Sequence, residues 1–240
     1  MARHEDLDRL YRLLDDLRIR LGGPRLLRES QGSSGFPSRG VYFFFEAGEH
    51  RADGRTPRVV RVGTHAISMG SKTTLWNRLS QHRGTLSGSL ARGGNHRGSI
   101  FRLHVGAALL QRRPVEFLSA RGSWGIGNNA DRSTKQVEYE LERAVSDYIG
   151  VVPYLWVPVD DEPGKASDRG RIERNCIALL SNARKLAIDP ASPEWLGRHA
   201  ARAAIRESGL WNVNHVYESD DPNALSTLAA YIQQVEPMRA

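Results

Sequence analysis

The 240-residue chain has one cysteine, Cys176, so it can close no disulfide within itself and cannot build a thiolate zinc cluster. A reducing compartment follows, and the cytoplasm is the expected location. Long apolar runs are also missing. The opening "MARHEDLDRLYRLLDDL" interleaves charged and apolar residues instead of presenting the unbroken apolar core of a signal peptide. The most apolar later stretch, "VVPYLWVPV", is far too short to span a bilayer, so no membrane association is expected. The glycine-rich "RGSWGIGNNADRS" lacks the GxGxxG spacing of a phosphate-binding loop.

Arginine is in excess. Lys and Arg number 34 against 27 Asp and Glu, a formal charge of +7, and almost all of the cations are arginines. The planar guanidinium suits bidentate contact with phosphate oxygens, which makes nucleic acid the leading partner, although a GC-rich genome produces the same bias. The length allows a core of its own, and one domain with additions is expected: residues 1–35 as an N-terminal helix and linker, 36–188 as the central domain with an insertion at about 112–150, and 189–240 as a helical extension.

Leu7, Leu10, Leu14, Leu17 and Leu21 recur at three- and four-residue spacing before "GGP", which predicts an amphipathic helix with a stop. Its stripe either packs on the domain or pairs with a copy of itself in a homodimer. Strands are predicted over 40–46 and 58–63; in the first, Tyr42, Phe44 and Glu46 share one face and Val41, Phe43 and Phe45 the other, as in a central strand. "SKTTLWNRLSQHRG", "GSIFRLHVGAALLQRR" and "TKQVEYELERAVSDYIG" read as helices, "YLWVPV" as a strand and "RGRIERNCIALLSNARKL" as a helix. In the tail, "PEWLGRHAARAAIRESGLW" reads as a helix closed by Gly209, and "DPNALSTLAAYIQQVE" as one capped by Asp221.

Three features could carry chemistry. Arg78 and His82 stand four apart on one helix, beside Leu75 and Leu79. Glu173 falls inside the apolar arc of Ile172, Cys176, Ile177, Leu179, Leu180 and Ala183; a carboxylate there needs a partner, either an arginine or a metal. Tyr42 follows Gly40 on a strand of otherwise aromatic and aliphatic residues.

In their order, "GVY" at 40–42, "RVG" at 61–63, "RLSQH" at 78–82 and "ERNCI" at 173–177 resemble the GIY-YIG nuclease family. The resemblance runs from residue 40 to about 183. It implies an α+β fold, a small mixed or antiparallel three-stranded sheet flanked by helices, with N- and C-terminal helical additions. It further implies a phosphodiester hydrolase using one divalent cation, Mg2+ or Mn2+, held by Glu173, with Arg78 on the phosphate, Tyr42 as candidate base and His82 beside it. Arg61 stands where the second motif has tyrosine; it either approaches a phosphate or is a solvated edge arginine. Asn182 is the candidate for the family's asparagine after the glutamate helix, and joins His65, His96 and Arg97 as candidate nucleic-acid contacts. His65 is read as a further cationic option, and "SGLWNVNHV" as either a base contact or a helix closure. Double-stranded DNA is favoured over RNA, in a restriction-like or genome-defence role. The rival readings are a binding module that keeps the fold without turnover, and a protein-interaction domain led by the first helix.

Overall fold

In the computed structural model, which describes residues 2–164 and 166–237, one antiparallel sheet is covered by helices on both faces. The chain runs through α1 (Ala2–Arg20), β1 (Arg25–Leu26), β2 (Gly40–His50), β3 (Pro57–Gly63), α2 (Leu75–Arg83), α3 (Ile100–Arg112), α4 (Arg132–Gly150), β4 (Pro153–Pro158), α5 (Asp168–Leu180), α6 (Ala203–Ser208) and α7 (Asn223–Gln233). The strand order is β1-β4-β2-β3. The fold class is the expected α+β, with a fourth strand: two residues of the supposed linker pair Arg25 with Tyr154 and Leu26 with Pro153. No helix among the described residues is long and apolar enough to cross a membrane.

The alternation in β2 builds the two layers. Val41 and Phe43 join Leu7, Leu10, Leu14 and Leu17 of α1, Ile172, Cys176 and Ile177 of α5, and Leu228 and Ile232 of α7. Tyr42 and Phe44 face Leu75 and Leu79 of α2, Phe101 and Val105 of α3, and Leu141, Val145 and Ile149 of α4. Burying each such aliphatic or phenyl side chain contributes about 1.5–3 kcal/mol, which fixes the register of β2, since a one-residue slip would exchange its faces. The α1 leucine stripe is thus consumed inside the chain, and the homodimer through that stripe is corrected by its burial here.

Helix ends follow local chemistry. Thr74 caps α2 by accepting the Asn77 N–H at 3.2 Å, and Ser99 caps α3. Gly209 closes α6 at φ +75°. Asp221 accepts the Asn223 N–H at 3.0 Å before α7.

Two helices are shorter than their sequence pattern. Helix α5 stops at Leu180 because Ser181 turns extended and its hydroxyl bonds the Val216 carbonyl at 2.6 Å. The tail helix expected from 193 is broken into a 3-10 turn at Leu196–His199 and the short α6. On a continuous helix Trp195, Leu196, Ala200 and Ile205 would spread over more than half the circumference; the break lets all four enter one core.

Candidate active site

Antiparallel pairing sets Tyr42 opposite Gly63. A Cβ on Gly63 would lie 2.4 Å from both Cζ and the hydroxyl oxygen of Tyr42, so the phenol ring occupies the space that any other residue would fill. Here the "GVY" and "RVG" segments touch. Regular alternation from Gly63 puts Arg61, opposite Phe44, on the Tyr42 face, and the register shifts only beyond that pair, at Phe44/Phe45.

The Tyr42 oxygen lies 2.9 Å from His82 Nε2, and His82 Nδ1 lies 2.7 Å from the Ser99 hydroxyl. Both rings are fully buried. Burial, reinforced by the charges of Arg61, Arg78 and Arg102, holds the His82 pKa well below its usual value, so the imidazole is neutral. Burial likewise raises the Tyr42 phenol; Arg61 and Arg78 oppose the rise without cancelling it.

Behind this pair, Arg102 donates to the His82 carbonyl at 3.0 Å, to the Glu142 carbonyl at 2.8 Å and from Nε to Glu142 Oε2 at 3.0 Å. Glu142 Oε1 accepts from the His96 N–H at 2.7 Å and from His96 Nδ1 at 2.9 Å. Burial pushes the Glu142 carboxyl up, but the His96 hydrogen bonds and Arg102 together outweigh it and keep it below the usual carboxylate range. The residues that tie α2, α3 and α4 together around His82 were invisible to sequence reasoning. Ser99 carries a helix-cap signal, whereas nothing in the spacing couples Arg102 to Glu142, 40 residues away.

Glu173 approaches from α5. Its Oε1 accepts the Thr64 N–H at 3.1 Å, immediately after Gly63, and among the described residues no cation forms an ion pair with it. Burial raises its carboxyl pKa against the pull of Arg61, the Thr64 N–H, His215 and Arg78. Thr64 is fixed in turn by its hydroxyl on the Gly40 carbonyl at 2.8 Å.

Arg61 is buried, which excludes a solvated edge arginine. It donates to the Trp211 carbonyl at 2.8 Å and stands 4.9 Å from the centre of the Phe101 ring, yet its Nε has no partner and no described carboxylate pairs with it. A desolvated guanidinium without a counter-ion is costly unless an anion completes it. Arg78, half-buried on α2, lines an open cleft of about 300 Å3 with His65, Ala66, Thr73, Gln81 and Gly98. A larger cavity of about 550 Å3 lies toward the far end of β2 between α1 and the hairpin, walled by Tyr11, Leu14, Phe45 and Leu155, and holds none of these groups.

The remaining sequence candidates are placed differently. His65 reaches the cleft, but burial drives its pKa down to about 4, so it is neutral and not the cation expected. His96 is buried, stacked on Trp124 at 3.9 Å, and its Nε2 accepts the Gly125 N–H at 3.1 Å, so it offers nothing to a nucleic acid. The Arg97 guanidinium, only 5% exposed, is held by both oxygens of Glu138 at 2.7 and 2.9 Å, which neutralises it as a phosphate contact. Asn182 lies past the end of α5, accepting from Arg3 at 3.4 Å and donating to the Asp189 carbonyl at 3.0 Å; its role is to fix the chain turn.

A family model described as the GIY-YIG domain matches residues 1–238. No curated protein and no solved structure matches the chain.

Proposed function

The chain belongs to the GIY-YIG family, whose members are generally endonucleases, and from that premise we propose that it is a metal-dependent endonuclease cutting double-stranded DNA in preference to RNA. The observation that carries the proposal is the convergence at Gly63–Thr64. Tyr42 packs on Gly63, Glu173 is bound at Thr64, and the unpaired Arg61 and the cleft-lining Arg78 are both felt by the phenol and the carboxyl. Two cations without carboxylate partners beside a phenol and an acid suit a bound phosphodiester.

The donor set also suits a hard divalent cation, Mg2+ or Mn2+. Among the described residues no group of three acidic, histidine or cysteine side chains forms a self-sufficient metal cage. Mg2+ commonly takes one or two carboxylates and completes its shell with water and substrate phosphate, and Glu173 has an oxygen not engaged by any described residue. When bound there, the cation would polarise the phosphoryl group and ease loss of a proton from water.

The protein's own groups divide the remaining work. Arg61 and Arg78 bind the phosphate oxygens and oppose the charge that grows on them. Tyr42 orients the attacking water through its oxygen and, in the phenolate form reached by losing its own proton to solvent in the loaded site, takes the water's proton and returns to the phenol. His82 is a positioning residue: its neutral ring, anchored at Ser99, holds the phenol in place from the buried side. Because burial lifts the Tyr42 pKa, its action as a base depends on the positive charge gathered in the loaded site.

Purified protein should nick supercoiled plasmid with Mg2+ and stop when EDTA is added. Tyr42→Phe, Arg78→Ala and Glu173→Gln should each lose cutting while retaining the wild-type circular dichroism spectrum. Full activity of Glu173→Gln would remove the site assignment.

A further inference from the structure

The "SGLWNVNHV" segment does more than end a helix. The Trp211 N–H donates to the Val60 carbonyl at 2.7 Å, and Asn212 takes the Val62 N–H at 3.1 Å and gives its amide to the Val62 carbonyl at 2.8 Å. These bonds pair the segment with the open edge of β3, where a neighbouring strand would otherwise lie. The Arg61 contact with the Trp211 carbonyl fastens it to the second motif.

Three residues further on, His215 sits at φ +66°, a left-handed conformation rare for residues other than glycine and asparagine. Its neighbours hold it there: Val216 is tied to Ser181, and the Glu218 carbonyl accepts from Lys185 at 2.7 Å. His215 Nδ1 lies 2.9 Å from Glu218 Oε1. The other oxygen of Glu218 binds Arg174, the residue following Glu173 on α5. His215 Nε2 makes no hydrogen bond to any described residue, and the side chain is 31% exposed. The imidazole is close enough that the Glu173 carboxyl responds to its charge.

We propose that His215 is a substrate-contacting residue: Glu218 orients the ring through Nδ1, and Nε2 hydrogen-bonds a phosphate oxygen of the nucleic-acid backbone on the Glu173 side of the site. Donation from both ends of the ring, to the Glu218 carboxylate and to a phosphate, requires an N–H on each ring nitrogen. A positive φ, flanked by backbone carbonyls that the Ser181 and Lys185 side chains hold, is the backbone cost of presenting this edge of the ring. The inference rests on the nuclease reading, and it makes residues 211–218 part of the active site.

Asparagine separates the two ring nitrogens. His215→Asn keeps a donor near the Nδ1 position for Glu218, tolerates the left-handed backbone and removes only the Nε2 end. His215→Gln reaches toward the Nε2 position instead. Steady-state cutting of supercoiled plasmid with Mg2+, anisotropy of a fluorescein-labelled DNA duplex and thermal melting would be measured for the wild type and both variants. The expected result is a fall of roughly 10- to 100-fold in kcat/KM for His215→Asn, the size of one lost hydrogen bond to a charged group, with weaker duplex binding and an unchanged melting midpoint. His215→Gln should recover part of that loss despite a lower midpoint. A purely structural histidine would give the reverse order, with the asparagine variant matching the wild type, and that would overturn the inference alone. Failure of the wild type to cut any DNA would overturn the nuclease reading and this inference with it.

Discussion

Gly63→Ala is the sharpest perturbation of the site, because it adds one methyl group and removes nothing. The new carbon would stand 2.4 Å from Tyr42 Cζ and hydroxyl oxygen and 2.6 Å from Cε2, against an ordinary contact of about 3.4 Å or more. Relief therefore requires a shift of about 1 Å by the ring or by β3. The ring cannot move freely: it is fully buried, meets Phe44 edge-on at 5.5 Å, and is bonded to His82 at 2.9 Å. Overpacking of this kind costs about 1–3 kcal/mol, and breaking the buried Tyr42–His82 hydrogen bond adds about 1–3 kcal/mol. For a chain of this length each kcal/mol lowers the melting midpoint by about 2–4 °C, so a loss of roughly 4–24 °C is expected by calorimetry. Activity should fall further than stability does, by about 100-fold at temperatures where the variant is folded, since a 1 Å displacement of a reacting group has that scale of effect. A double-mutant cycle with Tyr42→Ala should be strongly non-additive, because the three atoms nearest the added methyl all belong to the ring that this variant removes. A Gly63→Ala protein with wild-type melting and wild-type cutting would show that the phenol is not packed on this glycine, and the site geometry would fail with it.

Other outcomes follow from the same contacts. Glu142→Gln leaves Arg102 buried without its counter-ion and should cost about 3–5 kcal/mol, read as a lower midpoint in urea at unchanged slope; a loss under about 1 kcal/mol would mean the network is dispensable. Acid should destabilise the fold below pH 6.5. His82, His65 and His104 all have folded pKa values below their unfolded 6.5, the last two near 4, so the unfolded chain binds protons that the folded chain refuses. Stability should thus rise with pH through this window, by up to about 1.4 kcal/mol per pH unit for each histidine, and level off above 6.5. The raised Glu46 and Glu173 carboxyls work in the opposite sense and soften the slope. A midpoint flat between pH 7 and pH 5 would contradict the burial of these rings. Arg97→Gln should weaken duplex binding far less than Arg78→Ala, because the Arg97 charge is already neutralised by Glu138; equal losses in an anisotropy titration would refute that distinction.

The chain itself determined the elements and their faces. Alternation in "GVYFFFE" sets Tyr42 and Phe44 against Val41 and Phe43, the leucine period of α1 marks a buried stripe, and Thr74, Gly209 and Asp221 announce helix ends, because each of these signals acts between residues close in sequence. The strand and helix patterns likewise place Tyr42 and Arg61 on strands and Arg78 and Glu173 on helices, where the structure has them. Only the tertiary structure decided which charged groups remain free. His96 and Arg97 look as available in sequence as Arg78, yet Glu142 and Glu138, brought in by α4, take them, and burial strips His65 of its charge. It also decided that a tail written as an appendage grips β3 and carries His215 to the glutamate helix. Desolvation and long-range pairing depend on what packs against a residue from distant parts of the chain, and no local pattern encodes that.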